Sequence, residues 1–107
     1  MNEETSYKLI NLVGQQPDIS QRELAKEMGI SLGKTNYCLR GLMEKGWVKA
    51  QNFKNSNNKI AYAYVLTPRG LSEKAKITTR YLKRKVHEFE LLKGEIEQLQ
   101  QEASERK

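Results

Sequence analysis

Ser20-Gln-Arg-Glu-Leu-Ala-Lys-Glu-Met-Gly-Ile-Ser31 is the stretch that decides how this chain folds. Ser20 and Glu23 have the spacing of a capping box. The Ser20 hydroxyl can accept from the Glu23 amide, and the Glu23 carboxylate can accept from the Ser20 amide. Leu24, Ala25 and Met28 then share one helical face. Gly29 supplies a left-handed stop. A short helix is expected over about 20–28. Ser31 is a second N-cap, and Thr35, Cys38, Leu39 and Leu42 follow at helical spacing until Gly46. The next helix is expected over about 32–45.

Two helices joined by so short a turn containing Gly match a helix-turn-helix. Upstream, Tyr7-Lys-Leu-Ile-Asn-Leu-Val13 puts Leu9, Leu12 and Val13 on one face. This predicts a helix over about 5–15, capped by Thr5 or Ser6 and closed by Gly14 and Pro17. Downstream the period falls to two. Trp47-Val-Lys-Ala-Gln-Asn-Phe53 alternates and is rich in strand formers. Lys54-Asn-Ser-Asn-Asn58 is a polar turn, and Ile60, Tyr62, Tyr64 and Leu66 alternate with Ala61, Ala63 and Val65. A hairpin is expected, pairing about 47–53 with 59–66, its tip made basic by Lys54 and Lys59.

Thr67-Pro68 starts a last helix, with a capping hydroxyl followed by Pro at the first helical position. It is expected over about 68–103, roughly 50 Å long, too long to lie within a small domain. Leu82, Val86, Phe89, Leu92, Ile96 and Leu99 give it roughly three heptads of apolar residues, a coiled-coil pattern. At 100° per residue, Leu71, Ala75, Leu82, Phe89 and Ile96 cluster on one side, with Lys76, Arg80, Lys83, Arg84 and His87 opposite. The chain cannot cover that apolar seam alone, and a second copy is the expected cover. The expected architecture is mainly α with a small β-hairpin. Residues 1–70 would form one domain and residues 71–107 a long C-terminal dimerisation helix.

Composition narrows the function. The chain has 107 residues, 19 Lys+Arg against 13 Asp+Glu, and a net charge of +6. Residues 31–70 hold seven basic and one acidic, and residues 71–93 seven basic and three acidic. Both ends, 1–30 and 94–107, are net acidic. An anionic partner is implied, with nucleic acid before lipid because the basic residues do not form an amphipathic anchor. One Cys excludes an internal disulfide framework and fits a reducing cytoplasm. One His and one Cys leave no zinc site and no catalytic constellation, so neither enzyme activity nor a cofactor is expected. Gly29-Ile-Ser-Leu-Gly33 lacks the phosphate-loop pattern. No apolar run is long enough to span a membrane, and Met1-Asn-Glu-Glu-Thr5 is not a secretory signal.

The order of three helices, a hairpin and a fourth helix resembles a winged helix-turn-helix domain. Ser20 to Ser31 looks like that domain's second helix and turn. Leu39-x-x-Leu42-x-x-x-Gly46-Trp47-Val48 looks like the end of its recognition helix entering the sheet, and Tyr64-Val-Leu-Thr-Pro-Arg-Gly70 like the strand of the wing leading to the next helix. The whole is similar to MarR-type transcriptional regulators, and most to a short bacterial subgroup associated with exopolysaccharide gene clusters. Little chain precedes the first helix, so dimerisation would fall to the last one, with the family's usual effector pocket in question. The resemblance implies a homodimeric, sequence-specific DNA-binding regulator, a repressor, acting on a (pseudo)palindromic double-stranded operator. The effector is unknown. The alternative is a winged-helix module for protein or RNA that recruits a partner through the last helix.

In that fold the N-terminal half of the third helix enters the major groove. With Thr35, Cys38, Leu39 and Leu42 inward, Lys34, Asn36, Tyr37 and Arg40 remain outward. Arg40 can pair with guanine O6/N7 and Asn36 with adenine N6/N7. Lys34 suits a guanine or a phosphate, and Tyr37 a phosphate or a thymine methyl. Gly33 would let the backbone approach DNA closely. Ser20, Gln21, Arg22 and Ser31 sit at helix N-termini, where free amides favour a phosphate, although capping explains both serines equally well. Lys54 and Lys59 would reach the flanking backbone or the minor groove, or simply solvate a turn. The Lys76, Arg80, Lys83, Arg84 stripe would extend a phosphate surface or solvate a long helix. Cys38 is read as a core residue.

Overall fold

The computed structural model describes residues 2–54 and 60–105. The first helix, α1 (Glu3–Gln15), starts two residues earlier than expected. Asn2 is its cap, and the Asn2 Oδ1 accepts from the Thr5 amide at 2.7 Å. Thr5 is therefore a capped residue and not the cap. Asn caps at least as well as Thr, and Glu3 and Glu4 behind it suit the positive end of the helix dipole.

The second helix, α2 (Gln21–Met28), carries the expected capping box. The Ser20 Oγ accepts from the Glu23 amide at 3.1 Å, and the Glu23 Oε1 accepts from the Ser20 amide at 3.4 Å. Gly29 ends the helix at φ 66°. The third helix, α3 (Leu32–Glu44), opens with the Ser31 Oγ accepting from the Lys34 amide at 3.1 Å. Thr35 is the one fully buried polar residue among the described residues, and its hydroxyl donates back to the Ser31 carbonyl at 2.9 Å.

Strands β1 (Val48–Lys54) and β2 (Ile60–Leu66) pair antiparallel, in register from Val48 with Leu66 to Lys54 with Ile60. A feature the sequence did not announce is a bridge from the α1–α2 loop to β2. The Tyr64 amide donates to the Ile19 carbonyl at 3.0 Å, and the Asp18 amide donates to the Tyr64 carbonyl at 3.2 Å. Asp18 takes the left-handed conformation (φ 68°) to present that amide. The hairpin is thus tied to the helices along its inner edge.

The last helix, α4 (Pro68–Glu105), has 38 residues. Thr67 caps it as expected: its Oγ1 accepts from the Gly70 amide at 3.0 Å and donates to the Gly46 carbonyl at 2.6 Å. The Thr67 amide donates to the Trp47 carbonyl at 3.0 Å. A Cβ at Gly70 would overlap that same carbonyl, so the start of α4 lies flush on the start of β1.

Leu9, Ile10, Val13, Leu24, Leu39 and Leu42 form the centre of the core, joined by Cys38 and Val48. From α4 the core takes Ile77, buried to 3% exposure and absent from the apolar series read in the sequence. Gly70, Ile77 and Tyr81 share one face of α4, where Gly70 meets the Trp47 carbonyl and Tyr81 stacks on Tyr7 of α1 with ring centroids 4.5 Å apart. Past Tyr81 the described part of α4 is exposed on every side. The molecule measures 71 × 28 × 20 Å, its long dimension set by this helix.

Candidate nucleic-acid interface

The capping geometry of α2 and α3 fixes their N-terminal turns side by side. Between them lies an open groove of about 410 Å³ lined by Gln21, Leu32, Gly33, Asn36, Tyr37 and Arg40. Four residues expected at a DNA surface from sequence alone, Gln21, Asn36, Tyr37 and Arg40, meet here. Lys34, Asn36, Tyr37 and Arg40 are all exposed, Tyr37 at 73%. The four inward residues, Thr35, Cys38, Leu39 and Leu42, are all buried. The exposed polar side chains of α3 before Gly41 are therefore one guanidinium, one carboxamide, one ammonium and one phenol, with Leu32 exposed beside them and Glu44 further along. A further hollow of about 360 Å³ continues along α3 past Arg40 to Glu44 and Lys45.

Gln21 opens α2 as expected, and its carboxamide has partners that the sequence did not show. Its Nε2 donates to the Leu32 carbonyl at 3.2 Å, and its Oε1 accepts from the Asn36 Nδ2 and the Tyr64 hydroxyl, each at 3.4 Å. The side chain is spent on joining α2, α3 and β2. The Ser20 and Ser31 hydroxyls are likewise occupied as caps, while Arg22 is exposed beside them. Lys54 closes β1, and Lys59, expected with it at the tip of the hairpin, lies outside the described residues.

The basic part of α4 is less free than its charge suggested. Lys76 lies 3.5 Å from Glu73, and Arg84 lies 3.8 Å from Glu88 and 4.0 Å from Glu3. A hydrogen bond to Glu88 pushes the Lys85 ammonium above its ordinary range, aided by that carboxylate's charge. At the start of α1, a hydrogen bond from Lys8 holds the Glu4 carboxyl below its ordinary range, with the charges of Lys8, Lys85 and Arg84 adding. The acidic start of the chain thus sits against α4. Sequence counting had set the two apart.

The apolar seam of α4 is uncovered. Leu82, Val86, Phe89, Leu92, Ile96 and Leu99 are each 45–60% exposed. Among the described residues no helix is long and apolar enough to cross a membrane.

A two-stranded wing tied to a capped helix-turn-helix, with a polar exposed face on α3, decides the architecture. The chain has the winged helix-turn-helix fold. Its residues 2–49 match the winged helix-turn-helix DNA-binding family. Solved structures with the same fold include a PadR-like transcriptional regulator of Bacillus cereus. That protein is 14% identical, with a TM-score of 0.75 over 82% of this chain and 90% of the other. FabT of Streptococcus pneumoniae, solved in complex with DNA, is 19% identical, with a TM-score of 0.58 over 96% of this chain and 76% of its own. MarR of Staphylococcus aureus, solved with salicylate and kanamycin, is 13% identical, with a TM-score of 0.60 over 78% and 54%. No curated protein sequence matches. At these identities the structural likeness establishes the fold of this winged helix-turn-helix protein.

Proposed function

We propose that this protein is a MarR-like transcriptional regulator that binds double-stranded DNA in the cytoplasm as a homodimer. The observation that carries this reading is the exposed face of α3. Arg40, Asn36, Lys34 and Tyr37 stand on a helix held rigidly by caps and core at its other side. Arg40 reads guanine and Asn36 reads adenine in the major groove. Lys34, Tyr37 and Arg22 meet phosphates, and the Ser20 and Ser31 turns bring helix N-termini towards the same backbone. Lys54 and Lys59 on the wing take the flanking strand.

A second copy covers the α4 seam of Leu82, Val86, Phe89, Leu92, Ile96 and Leu99, so residues 71–107 form the dimerisation region. Two-fold pairing then presents two α3 helices to half-sites roughly 34 Å apart, and hence to a (pseudo)palindromic operator. Occupying that operator makes the protein a repressor. Binding of duplex DNA titrated across salt concentrations tests the reading. Affinity should fall steeply as salt rises, because phosphate contacts release counterions. Absence of binding to any duplex at low salt would overturn it.

A further inference from the structure

The polar links around Gln21 reach beyond packing. Tyr64 is held from both sides of its backbone by the Asp18 amide and the Ile19 carbonyl. That anchoring fixes where its phenol points. The phenol donates to the Gln21 Oε1 at 3.4 Å, and burial raises its pKa, so it stays a neutral donor through the neutral range. Gln21 Nε2 donates to the Leu32 carbonyl at 3.2 Å. With its nitrogen and oxygen each committed, the Gln21 amide has one favourable orientation. The same Oε1 then takes one proton of the Asn36 Nδ2 at 3.4 Å. A carboxamide that reads adenine needs its oxygen and one N–H on a common edge. The second Nδ2 proton is spare, and Gln21 engages one. Adenine readout requires Gln21 to hold the proton trans to the Asn36 oxygen, which leaves the oxygen and the cis N–H for the groove that Gln21, Asn36 and Arg40 line together.

We infer that Gln21, itself steadied by Tyr64 of the wing strand, is a positioning residue that sets the Asn36 carboxamide for adenine and so fixes base specificity at one site per half-operator. This rests on the proposed reading of DNA by α3. It replaces a phosphate role for Gln21 with a role in specificity, and it makes the wing strand part of the readout.

The test uses the full chain and a duplex enriched from a randomised library by the unaltered protein. Binding is measured to that duplex and to its single-base replacements. Asn36→Ala first identifies the base pair at which preference is lost. Gln21→Ala should then lose preference at that same pair by about fivefold or more, while the preference set by Arg40 and the affinity for unrelated duplex stay unchanged. Tyr64→Phe should lose a smaller part of the same preference. Adding Gln21→Ala to Asn36→Ala should cost nothing further there. A Gln21→Ala protein that weakens equally on every duplex would overturn the inference, since a phosphate contact behaves that way. Should Gln21→Ala fail to fold, Tyr64→Phe carries the comparison, because it removes one hydroxyl and keeps the ring. If Asn36→Ala alters no base preference, the DNA reading itself falls. If Asn36→Ala does and neither Gln21→Ala nor Tyr64→Phe follows it, only the positioning role falls.

Discussion

Gly33 and Gly70 are both helical glycines, and they answer to opposite forces. Nothing lies within 4 Å of a Cβ placed at Gly33. Gly33→Ala should therefore stabilise the free protein by about 0.5–1 kcal/mol, as Ala does over Gly inside a helix. If α3 approaches DNA by its first turn, the same methyl should weaken binding. Thermal melting and DNA titration of one variant would thus move in opposite senses. Gly70 is packed against the Trp47 carbonyl, a backbone atom that cannot swing aside. Gly70→Ala should destabilise by about 1–3 kcal/mol in a denaturant titration, the range for overpacking a tight contact. Arg40→Ala should leave stability unchanged, since the side chain is exposed. It should cost about 1–3 kcal/mol in binding and relax one base position. The outward set on α3 was legible in the sequence because Thr35, Cys38, Leu39 and Leu42 fix the helix phase by exclusion. The commitment of Gln21 was not, because its three partners come from two other elements, and 43 residues separate it from Tyr64.

The elements followed their local signals closely. The Ser20 capping box, the left-handed Gly29 and the Thr67 cap are all written in side chains within a few residues of the backbone they satisfy. Ser20→Ala should cost about 1 kcal/mol of stability by loss of the cap, read by thermal melting. The start of α1 moved to Glu3 because Asn2 competes with Thr5 for the capping role, and sequence spacing alone ranks them evenly. The bridge from Ile19 to Tyr64 was hidden because one residue of strand leaves no periodic trace. In α4 the seven-residue repeat of the seam masked Ile77, which belongs to a separate buried stripe on the core side of the helix. The two stripes need different partners. Replacing both Leu92 and Ile96 by Asp should leave the melting of the domain nearly unchanged, because both are exposed here. It should convert the proposed dimer to a monomer in sedimentation and weaken DNA binding by loss of bivalency. A double variant that still sediments as a dimer would remove the seam from the account.

At the scale of the molecule, the positive charge divides between the face proposed to meet DNA and a helix where three of the basic side chains, Lys76, Arg84 and Lys85, are answered by carboxylates. Arg84 and Lys85 meet Glu3, Glu4 and Glu88, and Lys76 meets Glu73. DNA affinity should therefore respond to Lys34 and Arg40 far more than to Arg84. Arg84→Ala should leave the salt slope of binding unchanged, whereas loss of a true phosphate contact lowers it by about one. Counting charge by segment put the basic excess on 31–70, but it could not see that the acidic first turn of α1 folds back on α4. Selection of duplexes from a randomised library by the unaltered protein bears most directly on the dimeric DNA-binding reading. It should yield an inverted repeat whose half-sites lie about one helical turn apart, with G and A among the specified bases. No enrichment, or a single motif without a symmetry mate, would contradict the account.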